Sequence, residues 1–154
     1  MAVPDFVAGF VFGMTADNHL SEVEMCIEGG ELISAEINTA IADLKHGGVK
    51  SDLDAVFQFG LMVMQVPSAL KTCEGMGEDL AAIEQWAKIF RNPKELAETV
   101  SKHYLFHKKQ IKTDVAALEA DWGTGLYFRA GVDLADLMTV AIGPIVVDAS
   151  QLEF

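Results

Sequence analysis

Apolar residues recur every three or four positions along most of the chain, and this helical period is the feature that most restricts the fold. One stripe predicts a single helix from Ser21 to about Lys45. Ser21 with Glu24 forms a capping-box pattern at its start, and Gly47-Gly48 provides a glycine stop at its end. The stripe consists of Val23, Ile27, Gly30, Ile33, Ile37, Ile41 and Leu44. Sustained strand alternation is missing from this part of the sequence, which favours an all-α fold.

Proline and asparagine residues predict where the later helices begin. A helix from Ser51 is expected to end at Pro67, which fits the first turn of the next helix. Asn92 is a good N-cap and Pro93 a good first helical residue, so a long helix is predicted to begin there. Glycines at 123 and 125 are expected to end that helix.

Two nearly all-apolar segments lie towards the two ends of the chain. Pro4 to Met14 forms a short helix, and Leu126 to Ile142 forms a last helix that Gly143-Pro144 ends. We therefore predict an antiparallel helical bundle of about five to six helices. The length fits a single helical domain, 1–154, with an apolar N-terminal helix at 3–16, a four-helix core at 20–122 and an apolar C-terminal helix and tail at 124–147.

Two similar short motifs surround the two cysteines, Cys26 and Cys73. Each cysteine is followed by glutamate, two glycines, a further glutamate and a leucine, with an offset of 47 residues. This similarity indicates two pseudo-repeated helical hairpins, in which equivalent positions would bring the sulfurs together as one disulfide. A disulfide predicts an extracellular or other oxidising compartment, whereas two buried free thiols would indicate the cytoplasm.

Acidic residues outnumber basic ones, 23 to 11, and the net charge of −12 disfavours binding to nucleic acid or to anionic membranes. The apolar runs are also too short for a membrane span, which takes about 20 residues. Charge is uneven along the chain, because residues 1–44 contain no Lys or Arg whereas 88–112 contain seven. This basic helix either pairs with acidic neighbours inside the bundle or meets an acidic face of another copy.

Common catalytic and cofactor motifs are missing from the sequence, so we expect neither an enzyme nor a cofactor. His103 and His107 are weak candidates for a metal site, since two imidazoles four residues apart on a helix can share an ion. Lysines 102, 108 and 109 flank the pair and would repel a cation. Aspartates 121, 133 and 136 are assigned to helix caps or to solvent.

The apolar segments towards the two ends of the chain must be shielded from water. Glycines at 9, 13 and 131 permit close helix approach, so these ends could pack on each other, enclose a ligand or dock onto other subunits. Our first hypothesis is a non-enzymatic structural protein whose partner is itself, in a homo-oligomer or filament. The residues predicted to mediate this self-association are Phe6, Phe10, Met14, Leu137, Ile142 and Ile145.

The alternative hypothesis is a soluble carrier that encloses an apolar or lipid-like small molecule within the bundle. Such a carrier requires a lined internal cavity of about 300 Å³ or more. The residues predicted to line it are Phe57, Phe59, Met62, Met64 and Trp86.

Overall fold

The computed structural model describes residues 2–27, 30–73 and 75–145, and these contain seven α-helices and no strand. The predicted all-α fold is therefore confirmed. Residues 146–147 of the predicted C-terminal segment lie outside the described residues. None of the described helices combines the length and the apolar character that crossing a membrane requires. The helices are α1 (Ala2–Thr15), α2 (Leu20–Cys26), α3 (Gly30–His46), α4 (Val49–Ala69), α5 (Gly77–Trp86), α6 (Pro93–Gly123) and α7 (Tyr127–Ala141), with a 3-10 helix (Ala87–Arg91) between α5 and α6.

Two of the predicted helix boundaries are confirmed by local geometry. The Asn92 side chain accepts a hydrogen bond from the backbone N–H of Glu95 at 3.2 Å, and Pro93 is the first residue of α6. Gly47 and Gly48 have φ values of 73° and 91°, which favour glycine and end α3. Both boundaries depend only on residues near the helix end.

The predicted single helix from Ser21 to Lys45 is wrong, because the backbone is extended at Ile27 and separates α2 from α3. Consecutive glycines at 29 and 30 weaken a continuous helix here, since each costs about 1 kcal/mol relative to alanine. The predicted capping box is also wrong. Instead, the Asn18 side chain accepts a hydrogen bond from the backbone N–H of Leu20 at 3.0 Å.

Pro67 does not open a helix as predicted, because it lies in the last turn of α4. Near a helix end the proline ring removes one backbone hydrogen bond without breaking the helix. The next helix begins only at Gly77, so Cys73 lies in a loop. The break at Ile27 alone raises the number of α-helices in the described residues to seven, one above the predicted five to six.

The predicted disulfide is present between Cys26 and Cys73, whose Cα atoms are 5.5 Å apart. The helices that follow the two cysteines begin at Gly30 and Gly77, so the motif similarity extends to the helix starts. It extends no further, since α3 packs along α4 as a hairpin whereas α5 packs mainly on α4 and on the 3-10 helix. Closing a loop of 47 residues stabilises the fold by about 4 kcal/mol through chain entropy.

The apolar helices α1 and α7 cover each other, in the most extensive contact between elements of the described chain. A side chain at Gly9 would clash with the carbonyl group of Phe128, and one at Gly131 would clash with the carbonyl oxygen of Phe6. The two backbones therefore touch directly. Three arrangements were considered for the apolar ends. In the described chain these two helices pack on each other.

The position of α1 carries its aromatic side chains into the core. Phe6 is fully buried, stacks on Phe59 of α4 at a centroid distance of 6.2 Å and meets the edge of Trp122 of α6 at 5.4 Å. Phe10 is likewise buried and lies 6.4 Å from the ring of Trp86. The N-terminal helix thus joins the α3–α4 hairpin to the α6–α7 hairpin.

We predict that Gly131→Ala lowers the free energy of unfolding by about 1–3 kcal/mol, because the added methyl group forces α1 and α7 apart. Urea unfolding followed by circular dichroism measures the effect. Gly123→Ala is the matched control, since nothing lies within 4 Å of its added Cβ atom. Equal stability of the two variants would contradict the close crossing.

Candidate functional site

The basic residues of segment 88–112 all point to solvent. The ion pairs among the described residues are His19 with Asp79 and Arg129 with Asp121, and neither involves this segment. Pairing of the basic helix with acidic neighbours in the same chain is therefore not observed in the described part. The exposed cations are Lys88, Arg91, Lys94, Lys102, Lys108, Lys109 and Lys112.

Two large apolar side chains are exposed in the middle of this basic helix. Leu105 is 76% exposed and Phe106 is 71% exposed. Lys102 lies on the same helix face as Leu105 and Phe106, because the spacing is three and four residues, and Lys109 is exposed just beyond them. We call Lys102, Leu105, Phe106 and Lys109 the basic α6 patch. The backbone departs from helical geometry at His107, with φ −128° and ψ 26°, in the middle of this patch.

The opposite side of α6 explains why the patch faces outward. Val100, Tyr104 and Ile111 are buried and belong to the core. An open groove lined by lysines 108, 109 and 112 with Thr113 and Ala116 continues the patch towards the end of α6. Large apolar groups surrounded by cations on an exposed helix face are typical of an interaction surface.

An exposed surface of the opposite charge lies on α2. Glu22 and Glu24 are exposed, and Met25 between them and the disulfide is 88% exposed. Glu22 and Met25 are three residues apart and share a helix face. We call Glu22, Glu24 and Met25 the acidic α2 patch. The disulfide at Cys26 fixes the end of this helix.

The residues predicted for self-association are mostly covered within the chain. Phe6, Phe10 and Leu137 have at most 1% of their surface exposed, because they lie in the contact of the terminal helices with the core. Contact with another copy through these three side chains would require α1 and α7 to separate. Met14, Ile142 and Ile145 are partly exposed at the margin of the core.

The residues predicted to line a ligand cavity lie in or beside the core. Phe59 and Met62 are fully buried core residues, whereas Phe57, Met64 and Trp86 are partly buried around it. A cavity between α3, α4, α6 and α7 measures about 10 Å³, and one beside Met64 about 20 Å³. Each has room for about one water molecule at most.

His103 and His107 lie close together, with their ring centroids 6.3 Å apart. His103 is partly buried and His107 is exposed at the helix irregularity. Among the described residues, a group of three potential metal ligands is found at Asp17, His19 and Asp79 and includes neither of these histidines. In that part of the chain no third ligand joins the pair.

Carboxylates face each other across the contact between α6 and α7. Burial, together with the hydrogen bond and the negative charge of Asp121, raises the pKa of Asp133 to about 7. Burial also raises the pKa of Asp114, and one of its oxygens is buried without a hydrogen-bond partner. The assignment of Asp133 to a helix cap or to solvent is therefore wrong, because its side chain is partly buried in this contact.

We predict that Asp133→Asn raises the melting temperature at pH 8 and changes it little at pH 4. The folded chain holds the Asp133 proton up to about pH 7, against an ordinary pKa of 3.8. Stability is thus present at low pH and is lost as pH rises from about 4 to 7. Thermal unfolding at both pH values tests this, with the exposed Asp54→Asn as control. An equal shift at both pH values would argue against the buried proton.

A comparison with known families gives one match. A family model described as SctB-like, secreted protein B-like, matches residues 2–143. This range includes all seven described α-helices and both cysteines. No curated protein sequence matches the chain, and no solved structure does. The chain therefore belongs to the SctB-like family of secreted protein B-like proteins.

Proposed function

We propose that this chain is a secreted, non-enzymatic structural protein that self-associates head to tail, with the basic α6 patch of one copy on the acidic α2 patch of the next. The observation that carries the proposal is the exposure of Leu105 and Phe106 among lysines that have no acidic partner in the described part of the chain. A surface of this kind is stabilised when a partner covers its apolar centre and neutralises its rim.

Charge complementarity favours another copy of the chain as that partner. Residues 2–27, which contain the acidic α2 patch, hold no Lys or Arg. The exposed Met25 supplies an adaptable apolar group that can contact Phe106, while Glu22 on the same helix face can meet Lys102 or Lys109 and the nearby Glu24 adds negative charge. Because the two patches differ, the contact is heterologous, so repeating it builds a ring or a filament.

A secreted location agrees with the covalent structure. The family description names secreted proteins, and a disulfide persists in an oxidising compartment. We therefore place the assembly outside the cell. We also propose that the chain acts as one domain, since α1 contacts both helical hairpins through a shared core.

Charge-swapped variants test the head-to-tail contact. Glu22→Lys/Glu24→Lys and Lys102→Glu/Lys109→Glu should each be monomeric, because each carries two patches of like charge. Mixing the two variants creates two complementary pairs of patches, because the basic α6 patch of the first meets the acidic α2 patch of the second and the two swapped patches also meet with opposite charge. We expect the mixture to associate in alternation into species as large as those of the wild type, measured by light scattering after size-exclusion chromatography.

Variants of equal charge change elsewhere are the controls. Lys45→Glu/Lys50→Glu and Asp54→Lys/Glu84→Lys alter exposed residues outside both patches and should associate as the wild type does. Unchanged association of both patch variants would overturn the proposal. So would a mixture that contains only monomers while circular dichroism shows both variants folded.

A further inference from the structure

We propose that Asp17, His19 and Asp79 form a binding site for a divalent cation, and that Zn²⁺ is the ion that fits their chemistry. One ligand atom from each residue lies within 4.8 Å of the others. Asp17 and His19 come from the loop between α1 and α2, and Asp79 comes from the first turn of α5. The site therefore draws on two elements that are distant in sequence.

Two of the three side chains already meet through a hydrogen bond, whose proton a bound ion would replace. Nε2 of His19 lies 2.7 Å from Oδ2 of Asp79, and the two side chains are only 14% and 18% exposed. Asp17 is exposed at the edge and leaves the site open to solvent. In the part of the chain that the structure describes, neither aspartate pairs with a lysine or an arginine. A divalent cation would relieve the repulsion between the two carboxylates.

The donor set distinguishes between ions. One imidazole nitrogen and two carboxylate oxygens, completed by water, suit the four-coordinate geometry of Zn²⁺. Ca²⁺ takes six to eight oxygen ligands, and Mg²⁺ binds mainly through carboxylates and several waters. His19 therefore favours zinc over either of these cations. Lysines flank His103 and His107 and disfavour a cation there. In the sequence, no lysine flanks Asp17, His19 or Asp79.

A zinc ion bound here would link the N-terminal end of α2 to the start of α5. The C-terminal end of α2 is already attached to the same region, because Cys26 is bonded to Cys73. The backbone carbonyl of Cys26 also accepts a hydrogen bond from the Thr72 hydroxyl at 3.4 Å. The ion and the disulfide would thus hold the two ends of one short helix. This inference does not depend on self-association.

Calorimetric titration of ZnCl₂ into the EDTA-treated, disulfide-intact full chain tests the site. We expect one ion per chain and at least a tenfold loss of affinity in His19→Ala and in Asp79→Asn. Asp17→Asn is the variant least disturbing to the fold, because Asp17 is exposed, and it should also weaken binding. Zinc should raise the melting temperature of the wild type, and CaCl₂ should not.

His103→Ala/His107→Ala is the matched control and should bind zinc as the wild type does. Loss of binding in this double variant, or retention of full affinity in His19→Ala and Asp17→Asn, would overturn the assignment. Absence of zinc binding by the wild type would overturn it as well. Circular dichroism of each variant separates a lost ligand from a lost fold.

Discussion

The direct contact between the backbones of α1 and α7 is the constraint on which the remaining structure depends. Gly9 and Gly131 allow it, because any side chain at either position would meet a carbonyl group of the opposite helix. The contact buries most of the two most apolar segments of the chain, although Phe12 of α1 stays 37% exposed. It also fixes Phe6 between α4 and α6, so the two hairpins share one core. The largest exposed apolar side chains that remain, Met25, Leu105 and Phe106, lie in the charged patches on α2 and α6.

Features encoded by neighbouring residues could be predicted from the sequence. The Asn92-Pro93 start of α6 and the Gly47-Gly48 stop of α3 each require only local backbone preferences. The break at Ile27 could not be predicted in this way, since an apolar stripe continues through it and the disulfide acts on it from 47 residues away. Local preferences also misplace Pro67, because they favour proline in the first turn of a helix, whereas it lies in the last turn of α4 at the cost of one backbone hydrogen bond.

The candidate sites also depend on how residues distant in sequence pack together. The sequence revealed the basic segment and its contrast with the acidic N-terminal part, but not which way its cations point. Exposure of Leu105 and Phe106 depends on which face of α6 meets α7, although their position outside the Val100, Tyr104, Ile111 stripe is a signal that sequence reasoning could have used. The cluster of Asp17, His19 and Asp79 spans about 60 residues and carries no local spacing motif.

These observations describe a disulfide-bonded helical chain of a secreted family that packs its two most apolar helices on each other and presents two exposed patches of opposite charge. The central claim is electrostatic association between those patches. Sedimentation equilibrium of the wild type at about 0.01 M and about 1 M NaCl measures it, because the screening length falls from about 30 Å to about 3 Å. We predict a mass well above that of one chain at low salt and a decrease towards 16.7 kDa at high salt. A mass of one chain under both conditions, or one that rises with salt, would contradict it.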